Sequence, residues 1–112
     1  QKIFEIGKVF EFKNGANERE NFALAISPGN FTDVKQTIEY LKKMLNVDLN
    51  VKEAENHPQH FIDGRVGKII LDGKEIGFIG EIHPKILRNW KIKMPVALLE
   101  ISLEEILEKL LQ

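Results

Sequence analysis

The sequence predicts an α+β domain in which an antiparallel β-sheet is flanked by helices. The strongest observation is a hairpin: two strand-like runs, residues 66–71 and 75–82, flank Asp72-Gly73. Asp-Gly between hydrophobic runs indicates a type I′ turn, because that turn needs φ > 0 at both central residues. The second observation is the order of predicted elements, β-β-α-β-β-β-α-β-α, in which successive hairpins favour antiparallel pairing. We expect the 112 residues to form one domain. Because the first residue is Gln rather than Met, we also expect this domain to be a piece of a longer chain.

The first half of the chain predicts a hairpin followed by the main helix. Residues 1–12 are rich in β-branched and aromatic side chains, as in a strand. Residues 13–21 are polar, contain Asn14-Gly15 and indicate a loop, and residues 22–27 indicate a second strand. Residues 31–46 predict a helix that Thr32 or Asp33 caps, with Gln36 three positions after Asp33. Its apolar stripe consists of Val34, Ile38, Leu41 and Leu45.

The second half predicts two short helices, each preceded by a strand. Leu49 and Val51 suggest a short strand, and residues 53–64 suggest a loop that ends in Asp63-Gly64. His83-Pro84 follows the central hairpin, and proline suits the first position of a helix. Residues 96–101 predict a buried strand. Ser102 and Glu105 have the spacing of a capping box for the closing helix.

Composition excludes several classes of function. The chain is 43% hydrophobic and 29% charged, typical of a globular domain, and no apolar run reaches the length of about 20 residues that a membrane span needs. We therefore expect no membrane association. Zero cysteines exclude thiolate metal sites and cysteine nucleophiles. A net charge of −1 gives no global argument for nucleic-acid binding. Four loop bases that could meet phosphate are few and offset by acids, which favours an ordinary solvated surface; they are Lys13, Arg19, Lys91 and Lys93.

Candidate catalytic and metal-binding residues each have a local explanation. Four side chains have the chemistry of zinc ligands: His57, His60, Glu81 and His83. A simpler explanation is that His57 and His60 are solvated loop residues and that His83 lies at a helix terminus. This explanation is favoured over a metal site. The same holds for a carboxylate acid/base pair drawn from Glu53, Glu55, Asp63 and Glu81. Ser27 and Ser102 lie in no G-x-S-x-G elbow, and no glycine-rich phosphate loop is present. We predict no catalytic, cofactor or metal site.

Five collinear segments together resemble one family. They are FEIGKVF, FTDVK, HPQHFIDGR, DGKEIGFIGEIHPKIL and PVALLEISLEEIL. In this order they resemble the C-terminal catalytic-like module of the phenylalanine–tRNA ligase β subunit, in its archaeal and eukaryotic form. The resemblance implies the class II synthetase fold, an antiparallel sheet with flanking helices. Within these segments we interpret seven residues as structural: Gly64, Arg65, Asp72, Gly73, Gly80, His83 and Pro84.

The resemblance also provides a test of catalysis. Class II synthetases hold ATP with one arginine on the first strand of a strand–loop–strand motif and another at the start of the last helix. The matching positions here hold Phe4-Glu5 and Ser102-Leu103, and Arg19 in the intervening loop is the only nearby base. A guanidinium can clamp phosphate or stack on adenine, which Ser and Leu cannot do. We therefore expect no ATP activation of phenylalanine by this module.

What the resemblance implies instead is a structural role. In this family the module packs against the α subunit, two αβ pairs form a heterotetramer, and the whole enzyme uses ATP and magnesium in the cytoplasm. We expect tRNA contact only in the assembled enzyme. Phe31, Phe61 and Trp90 are candidates for partner contact, although a core position is favoured for each. The alternative function is a free-standing small-molecule-binding or metal-dependent hydrolytic domain that uses the three histidines and Glu81.

Overall fold

A computed structural model describes the backbone of residues 2–12 and 16–112 and the side chains of residues 22–112. Within that part, six strands form one antiparallel sheet in the order β1-β2-β6-β5-β4-β3. This confirms the predicted α+β class and the predicted order of elements. The bounds are β1 Lys2–Phe12, β2 Ala16–Ile26, α1 Phe31–Leu45, β3 Leu49–Glu53, β4 Phe61–Leu71, β5 Lys74–Ile82, α2 Pro84–Asn89, β6 Ala97–Ser102 and α3 Leu103–Leu110. No helix in the described part has the length and apolarity needed to cross a membrane.

The β4–β5 hairpin has the predicted turn but begins earlier than predicted. Leu71 pairs with Lys74 across Asp72-Gly73, whose φ angles are 50° and 82°, as a type I′ turn requires. The loop predicted over residues 53–64 is wrong in its last four residues, because β4 starts at Phe61. Phe61 is 2% exposed and pairs with Ile82, and the register shifts between this pair and the next. Burial of the apolar Phe61 side chain stabilises its pairing with Ile82, so β4 begins at Phe61 despite the register shift between Phe61 and Val66.

The β1–β2 hairpin also extends further than predicted. The interpretation of residues 16–21 as loop is wrong, since β2 begins at Ala16 and pairs with β1 in continuous register up to Lys2↔Ile26. Polar residues satisfy their backbone groups in this ladder although their side chains do not indicate a strand. The predicted turn at Asn14-Gly15 lies outside the described residues.

The two faces of the sheet carry two separate cores. On β6, Leu99 and Ile101 belong to the larger core, under α1 and α3, while Leu98 packs on the smaller core, under α2. This alternation follows from the two-residue period of a strand. The larger core includes Val34 and Ile38 of α1, both fully buried, and Ile106 of α3.

Helix α1 starts at a different cap from the one predicted. Asn30, not Thr32 or Asp33, is the N-cap: its side chain accepts the Asp33 N–H, and the Asp33 carboxylate accepts the Asn30 N–H. The extended backbone of Asn30 allows this reciprocal bonding, which satisfies two N–H groups at the helix start. For α3, the hydroxyl of Ser102 accepts the Glu105 N–H, as predicted.

Candidate functional site

Glu81 joins three elements of the fold. It lies on β5, on the face that carries α1, and its side chain is 17% exposed. One carboxylate oxygen accepts the Phe31 N–H in the first turn of α1 at 3.0 Å, and the other accepts a bond from Arg65 of β4 at 3.1 Å. The negative charge therefore lies at the positive end of the α1 dipole. Both oxygens of this candidate metal ligand bond to other elements of the fold.

His57 is held by two acceptors. Its Nδ1 lies 2.8 Å from the Pro58 carbonyl oxygen, and its Nε2 bonds to the Asp63 carboxylate. Both ring nitrogens donate only when the imidazole is protonated. The Pro58 carbonyl raises the pKa of His57 above its usual 6.5; burial opposes this effect, and the bond and charge of Asp63 add to it. His57 thus fastens the loop before β4 to β4 itself.

The other two histidines also have structural partners. His60 Nε2 lies 2.7 Å from a carboxylate oxygen of Glu100 on β6, and its ring is 4.4 Å from that of Phe61. His83 precedes α2, and its Nδ1 accepts the Lys85 N–H at 3.1 Å, a capping bond. His57 and His60 thus anchor the loop between β3 and β4, and His83 caps α2.

The structure does not gather the four candidate metal ligands into one group, although His57 and His83 line one pocket with Asp63. His57, His60, Glu81 and His83 bond to different partners, and within the described ranges no three His, Asp or Glu side chains form a group that could hold a metal ion. Of the carboxylates considered for acid/base chemistry, Glu53 and Glu55 are exposed, while Asp63 and Glu81 have the partners given above. This arrangement stabilises the fold and gives no basis for assigning catalysis to these groups.

The two positions where the resemblance implies arginines lie on β1 and at the β6–α3 junction. Ser102 is 8% exposed and is the N-cap of α3. Arg19 lies within β2, opposite Val9, so its prediction as a loop residue is wrong. The paired strands β1 and β2 and the junction between β6 and α3 are thus present. Ser102-Leu103 occupies the junction, where the resemblance implies an arginine.

An apolar groove lies between β2 and α1. Its volume is about 750 Å³. Phe22, Leu24 and Ile26 of β2 line one side, and α1 lines the other with Tyr40 and Met44. Tyr40 is 64% and Met44 56% exposed, so this apolar surface is open to solvent.

Trp90 differs from the other two aromatic residues considered for partner contact. Phe61 is buried in the smaller core, and Phe31 is half-buried against the larger one, as a core position predicts. The core prediction for Trp90 is wrong, because 68% of the residue is exposed. Helix α2 has only six residues, and it directs Ile86 and Leu87 to the core. Trp90, just past its end, is left on the surface.

Comparison with known proteins identifies the family. Residues 1–103 match the family described as "Phenylalanyl tRNA synthetase beta chain CLM domain". The chain belongs to this family. Phenylalanine–tRNA ligase β subunits of Thermococcus onnurineus and Thermococcus kodakarensis are 43% and 45% identical to the chain over 109 residues, and that of Methanopyrus kandleri is 38% identical over 102. These alignments cover 92%, 92% and 86% of the chain, and 19%, 19% and 17% of the relatives.

Solved structures place this CLM domain in the class II synthetase fold. Pyrrolysyl-tRNA synthetase from Desulfitobacterium hafniense superposes with a TM-score of 0.67 over 95% of the chain and 40% of its own length, at 16% identity. A second structure of that synthetase gives a TM-score of 0.63 at 20% identity. At this identity the likeness concerns the fold alone. The alternative of a free-standing hydrolytic or small-molecule-binding domain is not favoured by these relatives.

Sequence reasoning missed the partners of three polar groups. Glu81 bonds to a residue 50 positions away, and His60 to one 40 positions away, for which local spacing contains no signal. The cap at Asn30 had a signal, since Asn30 and Asp33 have the three-residue spacing of a capping box, although Asp replaces the usual Glu or Gln.

Proposed function

We propose that the chain is a non-catalytic assembly module of a phenylalanine–tRNA ligase β subunit. The enzyme would be an αβ heterotetramer that attaches phenylalanine to tRNA(Phe) with ATP and magnesium. The observation that carries this proposal is the apolar groove between β2 and α1, in a domain of this family whose candidate site residues Glu81, His57 and His60 bond within the fold.

The groove supports an assembly role for a physical reason. Tyr40 and Met44 expose apolar surface, whose removal from water is favourable at roughly 25 cal/mol per Å². A surface of this kind beside a half-buried sheet strand is typical of an interaction site. In the assembled enzyme it would be covered by the α subunit.

The non-catalytic part of the proposal is supported by the β6–α3 junction, where the resemblance implies an ATP-binding arginine. Ser102 uses its hydroxyl to cap α3, and Leu103 begins that helix. Neither side chain can supply the charge that a triphosphate requires. ATP and magnesium would therefore bind elsewhere in the enzyme.

Calorimetry with ATP and magnesium tests this part directly. The chain should produce no saturable heat, whereas an assembled Thermococcus enzyme, run as the control, should bind ATP. Saturable binding by the chain in the micromolar range would contradict the proposal.

The position of the module in the enzyme completes the proposal. Residues 1–112 would form a single module in the C-terminal part of the β subunit. The enzyme would act in the cytoplasm, where tRNA is charged, and tRNA would meet the module only after assembly.

A further inference from the structure

The segment around Trp90 is basic in an otherwise balanced chain. Residues 82–99 contain no Asp or Glu and four Lys or Arg residues, although the whole chain has a net charge of −1. The bases alternate with apolar residues at the end of α2 and in the loop that follows. We define the Trp90 surface as Lys85, Arg88, Trp90, Lys91 and Lys93.

The cations of the Trp90 surface are exposed and have no counter-charge among the described side chains. All four are open to solvent, and none takes part in an ion pair with a side chain that the structure describes. Elsewhere, Arg65, Lys74 and Lys109 each pair with a carboxylate. The Trp90 surface therefore combines positive charges, unpaired among the described side chains, in one short segment with an indole that is 68% exposed.

The backbone holds this surface in one arrangement. The Trp90 N–H donates to the Ile86 carbonyl at 3.1 Å, and the Ile92 N–H donates to the Leu87 carbonyl at 2.8 Å. Beyond them, the Pro95 carbonyl accepts the Gly29 N–H at 3.1 Å. Leu87 is 9% exposed and anchors α2 in the smaller core. Ordering this segment on binding would therefore cost little, because it is already ordered.

We propose that the Trp90 surface binds single-stranded RNA, with Trp90 stacking on an unpaired base and the flanking cations contacting its phosphates. An exposed aromatic ring among Lys and Arg side chains is the combination that single-stranded nucleic acids require, because every base presents a π-face and every linkage a charge. That the natural ligand is an unpaired segment of tRNA rests on the proposed function. Binding of single-stranded RNA by this surface is independent of the proposed function.

The same surface is poorly suited to a membrane. Ile92 and Met94 are 37% and 50% exposed, but Lys91 and Lys93 separate them from Trp90 and from each other along the chain. Helix α2 spans six residues, too short for the broad apolar face of an interfacial helix. Inserting the apolar side chains would bring the intervening lysines into the apolar layer.

Tryptophan fluorescence provides a direct test, because Trp90 is the only tryptophan of the chain. Titration with unlabelled oligouridylate should quench its emission in a saturable manner, since stacking places a base against the indole. Anisotropy of a labelled oligouridylate should give the same dissociation constant. Binding without any change in Trp90 emission, or no binding, would overturn the proposal.

Substitutions then separate stacking from charge. Trp90→Ala should weaken binding by about tenfold or more while leaving the salt dependence unchanged. The double variant Lys91→Ala/Lys93→Ala should make the negative slope of log K against log salt shallower by about 1.4, at about 0.7 for each phosphate that the lysines no longer neutralise. The matched control, Lys42→Ala/Lys43→Ala on α1, removes the same charge from another surface and should retain the slope. Equal slopes for both double variants would overturn the proposal.

Two further readouts keep the inference distinct from the assembly role. All substituted residues of the Trp90 surface are exposed, so thermal unfolding of the variants should match that of the parent chain. Association with an α subunit should also persist in Trp90→Ala. Loss of assembly with retained RNA binding, or a blue shift of Trp90 on anionic vesicles but no response to RNA, would assign the surface to another partner and overturn the proposal.

Discussion

At the scale of residues, the polar side chains of this domain connect elements that are distant in sequence. Glu81 links β5 to the start of α1 and to β4, and His60 links the loop before β4 to Glu100 on β6. The bonds of Glu81 to the Phe31 N–H and of His60 to Glu100 are partly buried, which makes them stronger than exposed pairs, whereas the bond of Glu81 to Arg65 is exposed. These groups resemble an active site in type, but their partners give them a structural role.

Glu81→Ala should destabilise the domain. The change leaves the Phe31 N–H without its acceptor and removes the charge at the α1 N-terminus, and a hydrogen bond to a charged group contributes about 1.5–3 kcal/mol. Urea unfolding measures the effect. The control is Glu39→Ala, an exposed residue of α1, which should change the free energy of unfolding by less than about 0.5 kcal/mol. Equal stability of the two variants would show that the Glu81 bonds contribute little.

The His57–Asp63 pair should make stability depend on pH. The pKa of His57 in the folded state is raised above 6.5. Its contribution to the free energy of unfolding is therefore complete below about pH 6.5 and is lost as the pH rises through the folded-state pKa. Asp63→Asn should therefore cost more stability at about pH 5.5 than at about pH 8.5. Part of the pKa shift should survive, since the Pro58 carbonyl, its largest cause, remains. Glu55→Gln, in the same loop, should show no such difference; a pH-independent effect of Asp63→Asn would contradict the assignment.

At the scale of elements, local patterns predict turns and helices well but strand limits poorly. Asp72-Gly73 predicts its turn because the φ requirement resides in two adjacent residues. The extension of β2 to Ala16 and of β4 to Phe61 depends on strands that pair across the sheet, so neither limit is visible locally. The same limit applies to the candidate site. The sequence shows which residues are polar, but it does not show their hydrogen-bond partners, which lie up to 50 positions away.

The contact between β5 and β6 depends on Gly77. A Cβ atom at this position would lie 2.0 Å from the Glu100 carbonyl oxygen and 2.9 Å from the Ile101 Cα, both backbone atoms. Gly77→Ala should therefore separate the two strands and cost about 2 kcal/mol or more in chemical denaturation. The comparison is Gly73→Asn, where no atom lies within 4 Å and Asn tolerates the positive φ. If both variants retained parental stability, the close approach of β6 would be contradicted.

At the scale of the whole molecule, the domain keeps a class II synthetase fold while Glu81 and the three histidines bond to groups of the fold itself. Family membership rests on residues 1–103 and the fold on structures with TM-scores of 0.63–0.67. The groove at β2 exposes Tyr40 and Met44, and the Trp90 surface exposes its indole. We propose different partners for them, a protein for the groove and RNA for the Trp90 surface.

Substitution in the groove should affect association but not folding. Met44→Glu places a charge at an apolar rim residue that is 56% exposed, so the free chain should unfold as the parent does. Binding to an α subunit should weaken by about tenfold or more, because the charge would be desolvated in the complex. Lys43→Glu, its neighbour on the same helix, changes the charge by two units instead of one but lies outside the groove lining, so it should have a smaller effect. Identical affinities would place the interface elsewhere.

The central claim is that this chain assembles a phenylalanine–tRNA ligase. The most direct measurement is co-expression of the chain with an archaeal α subunit, followed by size exclusion with light scattering. We predict a stoichiometric complex in which the 12.9 kDa chain co-elutes with the α subunit. Separate elution of the chain and the α subunit would contradict the assembly role if it also occurs with a longer chain that includes the preceding residues of a Thermococcus relative.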